Sequence, residues 1–371
     1  MTVADLELTI HRHESGAARS PRPTDRCRSV VVLGEATETN RALAAAFAEH
    51  GQRAWLAQAA SPPRLVRGDL AVARLDVLPT LDGIEPGLWR LPRLERQGVQ
   101  LLNSPVALFA AHDKLSTALL LGRARVAHPQ TAHVREVSVP TFPPPYVVKP
   151  RFGSWGRDVY RCRGADELRA RLERLRHRRW FRRHGALVQS LVEPTGRDLR
   201  LVVAGGRVVG AAERRARPGE WRTNVALGAL RARVSAPPAA RALALRAVAA
   251  LGLDLAGVDI ISDETGRSYV LEVNGAVDFN AVYADDVFAT AAGVLLERAA
   301  DRGRSQRRMA AAAPLGTPLR LRAGEAASRA LPDSAAAGPR LAAALGPISG
   351  AGTRHASVPV IRWRREEVSP M

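Results

Sequence analysis

The chain has 371 residues, 46% hydrophobic and 25% charged, with a formal net charge of +19. That length allows two or three compact lobes, because single cores stop growing at roughly 250–300 residues. Residues 301–371 carry twelve Arg against five acidic residues and residues 161–183 ten Arg against three, so the middle of the chain is only mildly basic and, with no DNA-binding motif, its core is not expected to bind nucleic acid.

In chain order, residues 1–28 lack periodicity and read as a mobile tail. They interleave charges where a signal peptide needs an apolar core, and no uncharged run approaches ~20 residues, so a cytoplasmic protein with no membrane span is expected. A β-branched run at Ser29–Leu33, helical spacing at Asn40–Glu49 and a stop at Gly51 make a β-α start. Trp55-Leu56 and Leu70–Leu78 read as strands, Gly87–Arg96 as a helix and Val99–Leu102 as a strand. Residues 29–104 thus form an open α/β domain. Ser104-Pro105 opens one long helix through Ala118 to Arg123, carrying Lys114.

A strand at Tyr146–Lys149, a glycine turn at Gly153–Gly156, a return strand at Val159–Cys162 and one basic helix at Ala165–His184 complete a lobe at 105–185. The lobe at 186–300 holds a strand at Ala186–Val192, a hairpin of Leu199–Val203 and Arg207–Ala212, a helix at Pro237–Gly252, and Gly257–Ile261 paired with Tyr269–Val273. Residues 301–371, rich in Arg, Ala, Pro and Gly, read as a second mobile tail. The class is α/β with α+β lobes. Cys27 and Cys162 sit in unrelated contexts, which suggests neither a disulfide nor a zinc site.

Among 55 Lys and Arg residues only Lys114 and Lys149 are lysine. An ammonium is a compact charge that can touch one phosphate oxygen in a crowded pocket, where a guanidinium is a planar fork. Lys149 ends a strand and is followed by Gly153-Ser154-Trp155-Gly156, whose glycines could let backbone N–H groups close on phosphate. Taken alone, that loop leaves an ordinary hairpin and a phosphate loop both open. Asp259 and the alternating pair Glu272 and Asn274 can place three oxygen ligands on adjacent strands. Burying two carboxylates without a cation is expensive, which favours Mg²⁺ over a hydrogen-bonded trio. Asp198-Leu199-Arg200, Glu213-Arg214-Arg215 and Arg222-Thr223-Asn224 are either solvated surface charge or arginines projected into a shared cleft.

These motifs, in the order Asp113-Lys114, Val148-Lys149, Gly153 to Arg157, Val188-Gln189, Asp198 to Arg200, Glu213 to Arg215, Arg222 to Asn224, Gly257 to Asp259 and Glu272 to Asn274, resemble the ATP-grasp ligases of the RimK/LysX group over about residues 29–300. The glycine loop and Asp278-Phe279 look closer to LysX. The resemblance implies an ATP-grasp fold, with an N-terminal pre-ATP-grasp domain and two lobes clasping ATP. It implies that Lys114, Lys149 and the lid Gly153, Ser154, Trp155 and Gly156 bind the phosphates, with Arg222 beside them. Gln189, Ser190 and Leu191 would form the adenine hinge, with Asp198 near the ribose. Asp259, Glu272 and Asn274 would hold Mg²⁺ or Mn²⁺, as two ions, and Arg200, Arg214 and Asn224 would handle the acyl phosphate.

Two departures stand out. Ser190-Leu191 replaces an acidic-aromatic pair, and Gly-Ala-Val-Asp-Phe after Asn274 replaces the Ser-Pro-Gly common in RimK relatives. The activity implied is an ATP-dependent carboxylate-amine ligase of the α-L-glutamate ligase kind. It would join a glutamate-like or aminoadipate-like amino acid to a carboxylate of a carrier protein, a peptide or a cofactor, and a homodimer or homotetramer is implied by the same relatives. The basic helix is either a solvated face or a dock for an acidic carrier protein or acidic C-terminal peptide. Two rivals are a non-catalytic nucleotide-binding protein with Arg-rich nucleic-acid-binding tails and an ATP-grasp phosphotransferase, for which no histidine has an evident context.

Overall fold

The computed structural model describes residues 29–312, so the expectations for residues 1–28 and 313–371 lie outside it. Val30–Leu33 (β1) is four aliphatic residues, all buried, as befits a parallel strand covered on both faces. Val30 and Val32 enter one core and Val31 and Leu33 another, following the period of two along a strand. Ala54–Ala57 (β2) and Leu70–Ala73 (β3) flank β1 in parallel, and Gln100–Leu102 (β4) extends the order to β2-β1-β3-β4. Helix Glu38–Glu49 (α1) begins where the Thr37 hydroxyl accepts the N–H of Asn40, a cap of about 1 kcal/mol, and buries Leu43 and Phe47 against this sheet. The strand expected over 70–78 stops at Ala73. The helix expected over 87–96 is a 3₁₀ turn at Leu88–Arg90 running into Leu91–Arg96 (α2).

The single helix expected from Pro105 to Arg123 is two, Pro105–His112 (α3) and Lys114–Arg123 (α4). Asp113 breaks it at φ −86°, ψ 97°, where its carboxylate caps the N–H of Leu115, accepts from the Ser116 hydroxyl and takes two hydrogen bonds of 2.6 Å from Arg151. The four strands Thr131–Val134 (β5), Tyr146–Pro150 (β6), Tyr160–Cys162 (β7) and Ala186–Ser190 (β8) form an antiparallel sheet in the order β5-β8-β6-β7.

One face of that sheet is covered by Ala165–Leu175 (α5) and Arg179–His184 (α6). The basic helix is therefore broken as well. Across the break Arg178 pairs with Asp158, which also accepts from the Trp180 indole at 2.7 Å. Arg169 pairs with Asp166, Arg176 with Glu173, and both Arg179 and Arg183 with Asp82. Much of this basic charge is locally matched, which weakens the docking reading of the face.

Arg197–Ala204 (β9), Arg207–Arg215 (β10), Leu230–Arg233 (β11), Leu255–Ser262 (β12) and Ser268–Asn274 (β13) make an antiparallel sheet in the order β11-β10-β9-β12-β13. Leu201 and Val203 face Pro238–Leu251 (α7), while Val202 and Ala204 join the core shared with α1 and with Val287–Ala312 (α8). Helix α8 runs past residue 300, where a tail was expected, and Arg302 anchors it by donating to Leu101 O and pairing with Asp254. Asn103, fully buried, accepts from the N–H groups of Asp254 and Leu255 and donates to Leu255 O and Gly275 O, tying β4 to the strands that carry the site. Among the described residues no helix is long and apolar enough to cross a membrane.

Candidate functional site

Strand pairing sets the centre of the site. On β12 and β13, Asp259 lies opposite Glu272 and Gly257 opposite Asn274, while Asp259 also lies opposite Arg200 on β9. Lys149 near the end of β6 approaches from the other antiparallel sheet, and Lys114 from the start of helix α4. The Lys114 ammonium donates to Glu272 Oε1 at 2.7 Å and to Gly153 O, so it holds the glycine loop against β13. Lys149 has no carboxylate within 4.0 Å among the described residues, and its pKa is pushed down to about 8. Burial is the main cause and Lys114 adds to it, while Glu272 and Asp259 oppose it. A buried ammonium without a partner, in a cavity of about 140 Å³, is an anion site waiting for its counter-charge.

Asp259, expected to face Glu272 and Asn274 as an oxygen ligand, is held by two arginines. Arg200 donates to both its oxygens at 2.6 and 2.7 Å, and Arg214 reaches it at 2.8 Å while also clasping Asp198 with two hydrogen bonds. Burial raises the Asp259 pKa, but the two guanidinium groups outweigh it and hold the carboxyl well below its ordinary value. Asp198 takes a further hydrogen bond of 2.6 Å from the Thr223 hydroxyl. The Asn274 amide nitrogen is buried without a partner, so its oxygen is the accessible end. Carboxylate and amide oxygens on adjacent strands fit a hard cation. Among the described residues no group of three His, Cys, Asp or Glu could hold one unaided, so phosphate oxygens would have to complete the shell.

The glycine loop packs against the site from the other side. Trp155 at φ 56° and Gly156 at φ 69° turn the loop back on Asn224. A Cβ on Gly156 would lie 2.5 Å from Asn224 Oδ1, so both the turn and the contact require glycine. Arg222, expected at the phosphates, instead donates to Gly156 O at 2.9 Å and is held by Glu220. It ties the glycine loop to Glu220. At the expected hinge, Gln189 is buried and donates to the Thr131 hydroxyl at 2.8 Å. The N–H groups of Ser190 and Leu191 already donate to Gln130 O and Pro145 O, which limits how a purine could be read through the backbone there.

A second cavity, of about 340 Å³, shares Ser154, Trp155, Arg214, Asn224 and Glu272 with the first. Of the sequence-predicted residues it adds Arg200 and Asn274. It also brings in Glu38, Asp76, Asp278 and Arg231. Asp76 and Glu38, from the N-terminal lobe, and Arg231 were missed by motif reading. The available signal was an aspartate inside the apolar run 70–78, a residue type strands avoid.

Comparisons with known proteins bear on the family and the fold. Residues 111–294 match the RimK-like ATP-grasp domain. A "Probable alpha-L-glutamate ligase" of Serratia proteamaculans is 32% identical over 247 residues, 65% of this chain and 79% of that protein. A "Tetrahydromethanopterin:alpha-L-glutamate ligase" of Methanosarcina acetivorans is 29% identical over 254 residues, covering 58% and 77%. For another "Probable alpha-L-glutamate ligase", from Aeromonas salmonicida, 33% identical over 201 residues, the match spans 52% of this chain and 66% of that one. Among solved structures, the D-cycloserine synthetase DcsG has a TM-score of 0.57 at 20% identity, over 73% of this chain and 100% of that one. The ATP-grasp ligase PsnB, solved with a minimal precursor, scores 0.54 at 17% identity over 73% and 99%. Likeness at that identity is a likeness of fold.

Proposed function

Because the chain belongs to the RimK-like ATP-grasp family and is an ATP-grasp ligase, we propose that it joins the amino group of glutamate, or of a close relative, to a carboxylate of a peptide, an acidic carrier protein or a cofactor. The observation that carries this reading is the pair of adjoining cavities. One holds two lysines and the lid, the other holds charges of both signs, and Arg214, Asn224 and Glu272 border both. ATP in the first cavity would direct its γ-phosphate at their junction, where a carboxylate in the second can meet it. In this reading residues 105–185 and 186–300 clasp the nucleotide, and residues 29–104 close the second cavity. Relatives called glutamate ligases support glutamate over an aminoadipate-like acid.

The carboxylate oxygen attacks the γ-phosphorus, the bond to the β,γ-bridging oxygen breaks and ADP leaves, giving an acyl phosphate. The amine then attacks the acyl carbon and inorganic phosphate departs with the C–O electron pair. Lys149 and Lys114 neutralise the phosphoryl oxygens, and the lid excludes water that would hydrolyse the acyl phosphate. Arg200 and Arg214, fixed by Asp259 and Asp198, present a rigid positive wall that needs no reorganisation during transfer. Glu272 and Asn274 would hold Mg²⁺, which would neutralise charge on the bound phosphates, while Asp259 stays with Arg200 and Arg214.

The test is ADP release with ATP and Mg²⁺ across a panel of carboxylates, including glutamate-terminated peptides, with hydroxylamine present to trap acyl phosphates. A hydroxamate formed from one class of carboxylate and lost in Lys149→Ala is the expected result. Nucleotide binding with no ADP and no hydroxamate from any of them would favour a non-catalytic role.

A further inference from the structure

The second cavity is charged asymmetrically. Arg200, Arg214 and Arg231 come from strands β9, β10 and β11, whereas Asp76, Glu38 and Asp278 come from the N-terminal lobe and the loop after β13. Among the described residues Arg231 has no carboxylate within 4.0 Å, and Arg200 contributes only Nε and Nη2 to Asp259.

Asp76 has no strong counter-ion either. Its Oδ1 accepts the N–H of Val77 at 2.7 Å, and its nearest titratable base, His112 Nδ1, is 4.0 Å away. His112 is buried with Nε2 unpartnered, and burial, with Lys114 adding to it, lowers its pKa to about 4, so it is neutral. Arg74 beneath donates to Asn40 Oδ1 and Val277 O and leaves Nη1 unpartnered. It lies more than 4.0 Å from the carboxylates of Asp76 and Asp278, although burial, which lowers its pKa, is opposed by the charge of both. The other charges facing Asp76 are Asp278, Glu272 and Lys114, while the Glu85 carboxylate accepts its backbone N–H. The side chain is nevertheless 28% exposed, toward the cavity.

We propose that Asp76 receives the ammonium of the amine substrate and removes its proton, which makes the preferred amine a zwitterionic amino acid whose carboxylates face Arg231 and Arg200. This rests on the ligase reading and deepens it. The ammonium passes one proton to Asp76, and the freed lone pair attacks the acyl phosphate. The C–O bond to phosphate breaks, the second N–H proton leaves with phosphate, and Asp76 returns its proton to solvent. Burial, with Asp278 and Glu272 adding to it against the Val77 N–H and Lys114, raises the Asp76 pKa to about 6. That places its proton affinity in the range a base working near neutrality needs.

Hydroxylamine reacts as a neutral amine and needs no such help, so it separates the two half-reactions. With the carboxylate chosen by the trapping assay and L-glutamate as the amine, Asp76→Asn should lower amide formation about 100-fold more than it lowers hydroxamate formation. The lost rate should return as pH rises and free amine accumulates in solution, and Asp76→Glu should recover part of it at neutral pH. Equal amide formation by Asp76→Asn and wild type would overturn the assignment, as would parallel loss of amide and hydroxamate. Absence of hydroxamate from the wild type would instead remove the ligase reading and this inference with it.

Discussion

Lys149 is a cation whose surroundings oppose its charge, and that makes its pH behaviour informative. Its pKa lies below the ordinary lysine value, near 8, so the charge is present below that pH and is lost as pH rises through it. Phosphate binding needs the charge, hence kcat/KM for ATP should fall above about pH 8. Bound phosphates restore the ammonium, so kcat should hold to higher pH. Lys149→Arg, which stays charged, should remove the alkaline limb even if it binds ATP less well. A limb unchanged in that variant would assign it elsewhere. Asp198 makes the complementary case. Its carboxylate satisfies Arg214 in a buried network, and Asp198→Ala should destabilise the fold by about 3 kcal/mol, measurable by denaturant unfolding.

At the scale of elements, the lid is the most exacting piece. Gly156→Ala forces a left-handed turn on a residue with a Cβ and drives that Cβ onto Asn224. Displacing the lid by about 1 Å should cost on the order of 100-fold in kcat/KM for ATP, with unfolding changed far less, as thermal melting would show. The facing of Glu272 and Asn274 was legible because it follows from alternation within one strand, and the pairing of Asp259 with Glu272 because the two runs flank a short polar turn. The breaks at Asp113 and at residues 176–178 were not, because they depend on Arg151 and Asp158, which are distant in sequence. The guanidinium pair around Asp259 was hidden for the same reason. It arises from the order of three strands, which no single segment encodes.

Across the whole molecule, the two C-terminal sheets and their motifs were readable from local pattern apart from the edge strands β5 and β11, whereas the N-terminal lobe's share of the second cavity was not. Asp76 acquires a role only when the fold sets it against the loop after Asn274. Helix α8 shows a similar dependence, since its turns past residue 300 are tied to the lobe by Arg302, which reaches Asp254 and Leu101 O. A chain ending at Ala312 should therefore melt higher than one ending at Ala300, which loses both contacts; equal melting temperatures would show that the anchor adds nothing.

In the proposed mechanism phosphate passes from ATP to a carboxylate at the junction of the two cavities before the amine attacks. Oxygen tracing follows that transfer. With both oxygens of the selected carboxylate labelled with ¹⁸O, turnover in the presence of L-glutamate should release inorganic phosphate carrying one labelled oxygen for each amide formed. Unlabelled phosphate alongside amide formation would mean that no acyl phosphate forms and would rule this mechanism out.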